Sequence, residues 1–258
     1  LKHRLDAEIE FAENLCKFYP AQAEQWQKLI EQAKKIVAES NQADKNYYTN
    51  VVQGAERILA PVGVAAKTYT IYCIGHAHID MNWMWSWPET VAVTNDTFVT
   101  VLKLMDEFDD FHFSQSQASV YAIIKEYNPE LFERIKQRVA QGRWEVTAAQ
   151  WVEGDKNTAS GESIARHLLY TRQFMKDNFN LKPEDITLCW EPDTFGHAYT
   201  IPTILSRGGI KRYYLCRGGF GIENEDRDKS PRIFWWEGPD GSRLLVNHGF
   251  DWYNGHID

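Results

Sequence analysis

The first sixty residues alternate apolar and polar positions with the spacing of amphipathic helices. Apolar side chains recur mostly three or four residues apart at Leu5, Ile9, Phe11, Leu15, Trp26, Leu29, Ile30, Ala33, Ile36 and Val37. Pro20 divides the first two predicted helices, residues 41–45 separate a third, and Pro61-Val62-Gly63 ends the pattern. We therefore predict a helical arm over residues 1–65, in which we identify no candidate chemistry.

From about residue 69 the pattern changes to short apolar runs that alternate with helical stretches. Strands are predicted at Tyr69–Ile74, Phe111–Ser114, Arg143–Thr147, Ile186–Trp190, Arg212–Cys216 and Arg243–Asn247. Helices are predicted at 88–107, 117–139, 160–178 and 200–207. Strands that alternate with crossover helices form mostly parallel sheets covered on both faces. We therefore predict an α/β domain over residues 66–258, with a mostly parallel β-sheet flanked by helices.

Composition narrows the class of protein. The chain has 258 residues, is 43% hydrophobic and carries a formal net charge of −8. That hydrophobic share provides a packed core, and the acidic balance argues against a nucleic-acid surface. The sequence contains no apolar run long enough to cross a membrane. Ten tryptophans exceed what a chain of this length usually carries, and such rings also stack on sugars.

The cysteines indicate the cellular location of the protein, and the two ends of the chain indicate whether it is part of a longer one. The spacings of Cys16, Cys73, Cys189 and Cys216 fit neither a zinc knuckle nor a CxxC redox pair. Three of them lie in apolar, strand-like runs, so we expect reduced thiols and a cytoplasmic location. The chain starts inside a helical pattern without Met and stops without a closing element. We therefore expect a piece of a longer protein.

A Gly-His-Ala-His-Ile-Asp segment at residues 75–80 contains the first candidate chemistry. In an extended segment, alternate residues point to the same side, so His76, His78 and Asp80 can converge on one point. Imidazole and carboxylate ligands suit zinc or a similar divalent ion. The alternative is a strand that ends in a polar loop with hydrogen-bonded histidines.

A second segment, Trp190-Glu191-Pro192-Asp193, follows another predicted strand and precedes a predicted helix. A carboxylate at such a strand-to-helix turn is kept ionised by the helix N-terminus. The alternative role is an ordinary N-cap. Because ligands bind beyond the carboxyl ends of parallel strands, we expect Asp193 to lie near the histidine segment, on a rim that favours a hydroxyl-rich ligand.

Taken together, these segments resemble glycoside hydrolase family 38, the class II α-mannosidases. The resemblance rests on His-x-His-x-Asp followed by Trp83, on Asp-x-Phe-Gly-His at residues 193–197, and on Leu-Cys-Arg ending at Arg217. It also rests on Phe-Asp-Trp-Tyr ending at Tyr253 and on Phe-Ser-Gln-Ser-Gln-Ala at residues 113–118. It extends from about residue 70 to the end, and the order and spacing of the motifs make it specific.

The resemblance implies the N-terminal part of a seven-stranded, α/β-barrel-like catalytic domain with a retaining mechanism. Asp193 would be the nucleophile, and His78, Asp80 and Asp193 would bind a divalent ion, usually Zn²⁺. Trp83, Arg217 and Tyr253 would contact the substrate, a mannose-containing oligosaccharide. His76 would support a ligand, and Asp155 is a further candidate for binding sugar hydroxyls, with a solvated loop as the alternative.

The resemblance also implies groups that this chain does not supply. The acid/base aspartate and a fourth metal ligand, a histidine, would lie beyond residue 258 in the rest of the parent chain. Nothing in the pattern around His248 or His256 supports either as the substitute ligand. We expect the 258-residue chain alone to bind metal weakly and to hydrolyse α-mannosides poorly.

Two other functions stay open at this point, a metal-dependent amide or ester hydrolase and a carbohydrate-binding module without catalysis. The first would place further histidines on later strands. The second would bind sugar through the tryptophan-rich rim. The sequence also leaves open whether the protein forms a homo-oligomer.

Overall fold

The computed structural model describes residues 2–38, 45–217, 231–249 and 253. The chain divides into two compact units, one that extends to Tyr72 and one that starts at Cys73. The predicted boundary between residues 65 and 66 lies inside the last turn of a helix. The division into two domains at that point stays a prediction.

The first unit consists of three helices around its own apolar cluster. They are α1 (Lys2–Phe18), α2 (Pro20–Ala38) and α3 (Lys45–Ala66). The expected end of the helical pattern at Pro61 was wrong, because α3 continues through that proline. Leu59 and Val62 are buried in the cluster, and this packing stabilises the helix across a residue that lacks an N–H donor.

The second unit alternates strands and helices. Its strands are β1 (Gly75–His76), β2 (Phe113–Gln117), β3 (Trp144–Gln150), β4 (Leu188–Glu191), β5 (Arg212–Leu215), β6 (Ile233–Glu237) and β7 (Arg243–His248). Its helices are α4 (Trp87–Glu107), α5 (Ala118–Tyr127), α6 (Pro129–Ala140), α7 (Gly161–Phe179) and α8 (Ile201–Arg207). The predicted mostly parallel α/β fold is confirmed, with seven strands in the part of the chain that the structure describes.

The strands form two hydrogen-bonded sheets. One has the order β1-β2-β3 and the other the order β4-β5-β7-β6. All pairings are parallel except that of β6 with β7. β3 of the first sheet contacts β4 of the second, so the carboxyl ends of strands from both sheets lie near one another. The loops that follow β1, β3 and β4 therefore meet at one rim.

The predicted first strand, Tyr69–Ile74, was wrong. Ile71 and Tyr72 are both 84% exposed, and strand pairing starts only at Gly75. A parallel strand needs a partner, and β2 begins at Phe113, opposite Gly75, after a turn at residues 109–110. The apolar run therefore precedes the point at which backbone pairing becomes available.

The structure also differs from the sequence prediction at one helix and one strand. The predicted helix 117–139 is two helices, because Pro129 starts α6 and the Asn128 side chain caps it by accepting from the N–H of Leu131. Strand β6 was not predicted. Its burial alternates along the strand, since Ile233 and Trp235 are exposed while Phe234 and Trp236 pack against the core.

Trp144 on β3 lies at the centre of the core of the second unit. Its ring centroid is 4.7 Å from that of Phe113 and 5.0 Å from that of Phe98, and its Nε1 donates to the Tyr121 hydroxyl at 2.9 Å.

We expect Trp144→Ala to lower the free energy of unfolding by about 3–5 kcal/mol in urea titrations, through the cavity it leaves. The matched control is Trp235→Ala, at a 63% exposed ring, with an expected change of about 0.5 kcal/mol or less. Equal effects of the two variants would contradict this placement of the core.

Candidate active site

Two glutamines of β2 hold the histidine segment in place. Gln115 Nε2 donates to the Ala77 carbonyl at 2.9 Å, and Gln117 Nε2 donates to the Ile79 carbonyl at 2.7 Å. Both amides are buried, so they replace the ladder bonds that end at His76. The Phe-Ser-Gln-Ser-Gln motif contains both glutamines, but their role in supporting the histidine segment was not predicted from the sequence.

His78, Asp80 and Asp193 converge at the rim. His78 Nε2 lies 3.2 Å from Asp80 Oδ1 and 3.7 Å from Asp193 Oδ2. One ligand atom from each of the three residues falls within 4.8 Å of the others. The structure thus brings together the three residues predicted as metal ligands, from loops that follow strands of two different sheets.

His76 has different neighbours. Its Nδ1 lies 3.0 Å from the Ser114 carbonyl, and its ring lies 5.2 Å from that of Trp190. Burial lowers the pKa of His76 to about 4, so the ring is neutral. Alternation along the strand therefore does not bring all three side chains to one point. Within the described residues, no hydrogen bond joins His76 to His78, Asp80 or Asp193.

Asp193 lies in the loop between β4 and α8, as predicted, but the expected N-cap role was wrong. Asp193 follows β4 closely, whereas α8 begins only at Ile201 and has Thr200 as its N-cap residue. Its charge is balanced by the Arg217 guanidinium, whose Nε lies 2.5 Å from Asp193 Oδ1. The Tyr253 hydroxyl is also hydrogen-bonded to Asp193. Burial and the nearby Asp193 carboxylate both raise the pKa of Tyr253, to about 12. Arg217 and Tyr253 therefore both contact the predicted nucleophile.

Glu153 is the site residue that sequence reasoning undervalued. Its place in a polar loop after β3 is typical of a solvated residue, yet its side chain is only 4% exposed. Oε2 lies 2.9 Å from His78 Nδ1, and Oε1 accepts from the backbone N–H of Asp193 at 2.6 Å. A carboxylate six residues after a predicted strand looks solvated in a sequence, because burial by a distant loop has no local signal.

A second buried pair lies behind Glu153. Lys156 Nζ lies 3.1 Å from Glu191 Oε1, with side chains that are 2% and 1% exposed. Burial lowers the pKa of Lys156, but the nearby Glu191 and Glu153 carboxylates outweigh it and raise the pKa. Thr194 Oγ1 lies 2.9 Å from Glu191 Oε2 and 3.3 Å from Glu153 Oε1. This network fixes the turn that carries Asp193.

His197, which ends the Asp-x-Phe-Gly-His segment, contacts two other elements of the fold. Its Nδ1 lies 2.9 Å from the Tyr213 hydroxyl, and its Nε2 lies 2.9 Å from the Arg217 carbonyl. Burial lowers its pKa, which favours the neutral ring. A neutral ring that accepts from Tyr213 and donates to Arg217 links the Asp193 loop to the end of β5.

A cavity of about 190 Å³ opens over the three converging residues. Trp83, Asp155 and Phe195 line its mouth, and Asp155 accepts from the N–H of Asn157 at 2.8 Å. Trp83 is 60% exposed, and its ring makes an edge contact with that of Trp85 at 5.5 Å. This volume is below the roughly 300–1,000 Å³ of pockets for drug-sized ligands and suits one small polar ring.

A larger groove of about 710 Å³ runs along α7 past Tyr170 and Phe174. Among the described residues, the only cluster of potential metal ligands is the one at the smaller cavity. The arrangement of chemical groups therefore places the candidate site there.

Comparison with known proteins identifies the family of the chain. The sequence profile of the "Glycosyl hydrolases family 38 N-terminal domain" matches residues 68–256. The chain belongs to glycosyl hydrolase family 38. The profile starts after the helical arm, and the predicted resemblance to this family is confirmed.

Relatives within family 38 are named α-mannosidases. Alpha-mannosidase G of Dictyostelium discoideum is 32% identical over 252 residues, which are 97% of this chain and 22% of that protein. Human alpha-mannosidase 2C1 is 35% identical over 179 residues, which are 69% of this chain and 17% of that protein. The chain thus spans about a fifth of the length of these relatives.

A solved structure supports the fold. The crystal structure of an α-mannosidase from Enterococcus faecalis V583 aligns with a TM-score of 0.61 and 22% identity, over 70% of this chain and 20% of that one. At this identity the likeness establishes the fold of the family 38 domain. None of the described helices combines the length and the apolar composition needed to cross a bilayer.

The donor set fits a divalent metal ion. An imidazole and two carboxylates are ligands typical of zinc and related ions, and a histidine ligand usually has a partner for its second ring nitrogen. His78 meets this condition, because its Nδ1 faces Glu153 while its Nε2 faces Asp80 and Asp193. Three residues of this family 38 chain can therefore hold a metal ion together.

The stability of the metal-free protein should depend on the charge of His78. Burial lowers the pKa of His78, but the contact with Glu153 and the charges of Glu153 and Asp80 outweigh it and raise the pKa to about 9. A folded-state pKa above the unfolded value of about 6.5 stabilises fully below pH 6.5, and this contribution is lost as pH rises through 9. We expect chelator-treated protein to lose on the order of 2 kcal/mol over this range in urea titrations.

The variant His78→Gln should abolish this loss. The exposed His112, whose Nδ1 contacts the Asp110 carbonyl, provides the matched control, and His112→Gln should retain the loss. The same decline in His78→Gln as in the wild type would assign the effect to another group.

Proposed function

We propose that the parent protein is a metal-dependent retaining α-mannosidase that removes terminal α-linked mannose from oligosaccharides. The observation that carries the proposal is the environment of Asp193. One of its oxygens faces His78 and Asp80, and the other faces Arg217, at the base of a cavity lined by Trp83. Such a carboxylate is oriented by its partners and within reach of a sugar ring, as a glycosidase nucleophile must be.

In the proposed reaction, an Asp193 oxygen attacks the anomeric carbon and forms a glycosyl ester as the bond to the leaving oxygen breaks. A second carboxyl group donates a proton to that oxygen and then removes one from the water that hydrolyses the ester. Arg217 neutralises Asp193 before attack, and the Glu153 contact with its N–H restrains the loop. Trp83 and Asp155 are proposed to contact the sugar at the cavity mouth.

The metal ion is proposed to be Zn²⁺, held by His78, Asp80 and Asp193. When bound, it would supply positive charge for sugar hydroxyls next to the reacting carbon. The fourth ligand and the acid/base carboxyl are proposed to come from the rest of the parent chain. His248 is buried on β7 and is not part of the cluster, and His256 lies outside the described residues. We accordingly propose that the 258-residue chain alone is nearly inactive.

Covalent trapping in the full-length parent protein tests the proposal. A fluorinated mannosyl inhibitor that stabilises the intermediate should label Asp193, as located by peptide mass spectrometry, and chelation should prevent labelling. Labelling at another carboxylate would refute the assignment. Metal-dependent release of ammonia or acetate without sugar cleavage would indicate the amide or ester hydrolase. Sugar binding that survives both chelation and Asp193→Asn would indicate a binding module.

A cytoplasmic location is also proposed. The thiols of Cys16, Cys73 and Cys189 form no disulfide in the structure, which is what a reducing compartment would produce. Fractionation of cells that express the tagged parent protein tests the location, and recovery in an oxidising compartment would contradict it.

A further inference from the structure

Glu153 contacts residues from both halves of the candidate metal site. Oε2 lies 2.9 Å from His78 Nδ1, in the loop after β1, and Oε1 accepts from the Asp193 N–H at 2.6 Å, in the loop after β4. Since β1 and β4 belong to different sheets, one carboxylate spans the junction between them. Its position is itself restrained, because its N–H donates to Gln117 Oε1 at 3.1 Å.

The contact with His78 favours one tautomer of the ring. His78 Nδ1 and Glu153 Oε2 are both buried, and within the described residues their 2.9 Å approach is an ion-pair contact without an aligned hydrogen bond to either atom. With a proton on Nδ1, the ring faces the carboxylate with a donor. Without it, a nitrogen lone pair would face a buried anion, which is unfavourable. Metal-loaded His78 should therefore carry its proton on Nδ1 and present the Nε2 lone pair to Asp80 and Asp193.

Hydrogen-bond donors and a nearby cation surround the buried Glu153 carboxylate. Lys156 is close enough for the Glu153 charge to raise its pKa, and Glu191 holds the ammonium at 3.1 Å. Thr194 connects the two carboxylates through its hydroxyl. A buried anion with a nearby cation and several donors can act as a fixed acceptor, which a solvated loop glutamate cannot do.

We propose that Glu153 is a positioning residue that sets the tautomer of His78 and the place of Asp193, and thereby pre-forms the metal site. This inference rests on the proposed function, since it assigns Glu153 a task within that site. Glu153 itself touches neither metal nor sugar in this role. Its removal should therefore weaken metal binding and lower kcat, with little change in KM.

The variant Glu153→Gln in the full-length parent protein gives the sharpest test. An amide has nearly the same shape but offers one acceptor oxygen, so it can accept from either His78 Nδ1 or the Asp193 N–H, and opposes the other with a second donor. We expect the affinity for Zn²⁺ to fall by about 10–100-fold and the visible absorption of the Co²⁺-loaded protein to change. Glu153→Asp, which keeps the charge and both acceptors, should recover part of the affinity.

The matched control is Glu145→Gln. Glu145 is exposed on β3, the strand before the Glu153 loop, and its variant should keep the Zn²⁺ affinity, the Co²⁺ spectrum and the activity of the wild type. Thermal unfolding of each chelated variant separates loss of folding from loss of metal. If Glu153→Gln fails to fold, Glu153→Asp is measured. If neither folds, the ¹⁵N shifts of histidine-labelled, Zn²⁺-loaded wild type report the His78 tautomer.

The outcomes distinguish the two proposals. Unchanged Zn²⁺ affinity and unchanged kcat in Glu153→Gln would overturn the positioning role, as would a proton on Nε2 in the loaded wild type. Weaker Zn²⁺ binding in a parent protein that cleaves no α-mannoside would support Glu153 while refuting the proposed reaction. An altered KM with unchanged metal affinity would instead place Glu153 against the substrate and overturn the inference.

Discussion

Asp193→Asn is expected to lower kcat/KM of the full-length parent protein toward an aryl α-mannoside by on the order of 10⁴-fold or more. The amide cannot form the glycosyl ester, and it removes the negative charge that faces both Arg217 and His78. Two losses at one residue make this the largest effect predicted for any single substitution. Steady-state kinetics at saturating Zn²⁺ separates the missing nucleophile from weaker metal binding.

The control for this variant is Asp109→Asn, at an exposed turn residue before β2. It makes the same chemical change far from the rim in sequence and should leave kcat/KM unaltered. Activity of Asp193→Asn within tenfold of the wild type would remove Asp193 from the role of nucleophile. It would also require another carboxylate of the cavity, such as Asp155, to be tested in the same way.

Removal of the metal is expected to have the second largest effect. Chelation of the parent protein should reduce turnover by on the order of 10³-fold, and added Zn²⁺ should restore it, because sugar hydroxyls and Asp193 would lose a shared positive partner. In His78→Ala, one of three clustered ligands is missing, so Zn²⁺ at the same concentration should fail to restore turnover. Metal content by mass spectrometry and initial rates provide the two measurements.

His112→Ala is the matched control for the metal experiment. His112 is exposed and makes its ring contact with the nearby Asp110 carbonyl, so its loss should change neither metal content nor recovery. Full activity at a chelator concentration that removes all bound metal would contradict metal dependence. Recovery of His78→Ala equal to that of the wild type would show that His78 is not a ligand.

Local pattern was informative where neighbouring residues decide the structure. Apolar spacing predicted the first two helices of the arm, and α4, α7 and α8 closely, because amphipathic helices bury one face wherever they pack. Strands β2, β3, β4, β5 and β7 were also located to within a few residues, whereas β6 was not predicted. The apolar run Tyr69–Ile74 failed as a strand, since a parallel strand exists only where a partner strand runs beside it.

In the candidate site too, the sequence predicted the residues that lie in recognisable motifs and missed the others. The histidine segment and the Asp193 segment have recognisable motifs, so their resemblance to family 38 named three potential ligands that the structure brings together. Glu153 and the Lys156–Glu191 pair have no such motif. Their importance depends on burial by loops that lie far away in sequence. The side chains of Glu153, Lys156 and Glu191 are 4%, 2% and 1% exposed.

The amino-acid sequence was sufficient for the alternating α/β pattern, the helical arm, the family and the residue types that can bind a metal ion. It could not tell that His76 faces the Ser114 carbonyl while His78 faces two carboxylates, nor that Glu153 contacts both halves of the site. Those contacts arise only when β3 lies beside β4 and brings three loops to one rim. Hydrogen bonds and ion pairs act over a few ångströms, so the partner of each polar group depends on which distant segments the fold places next to it.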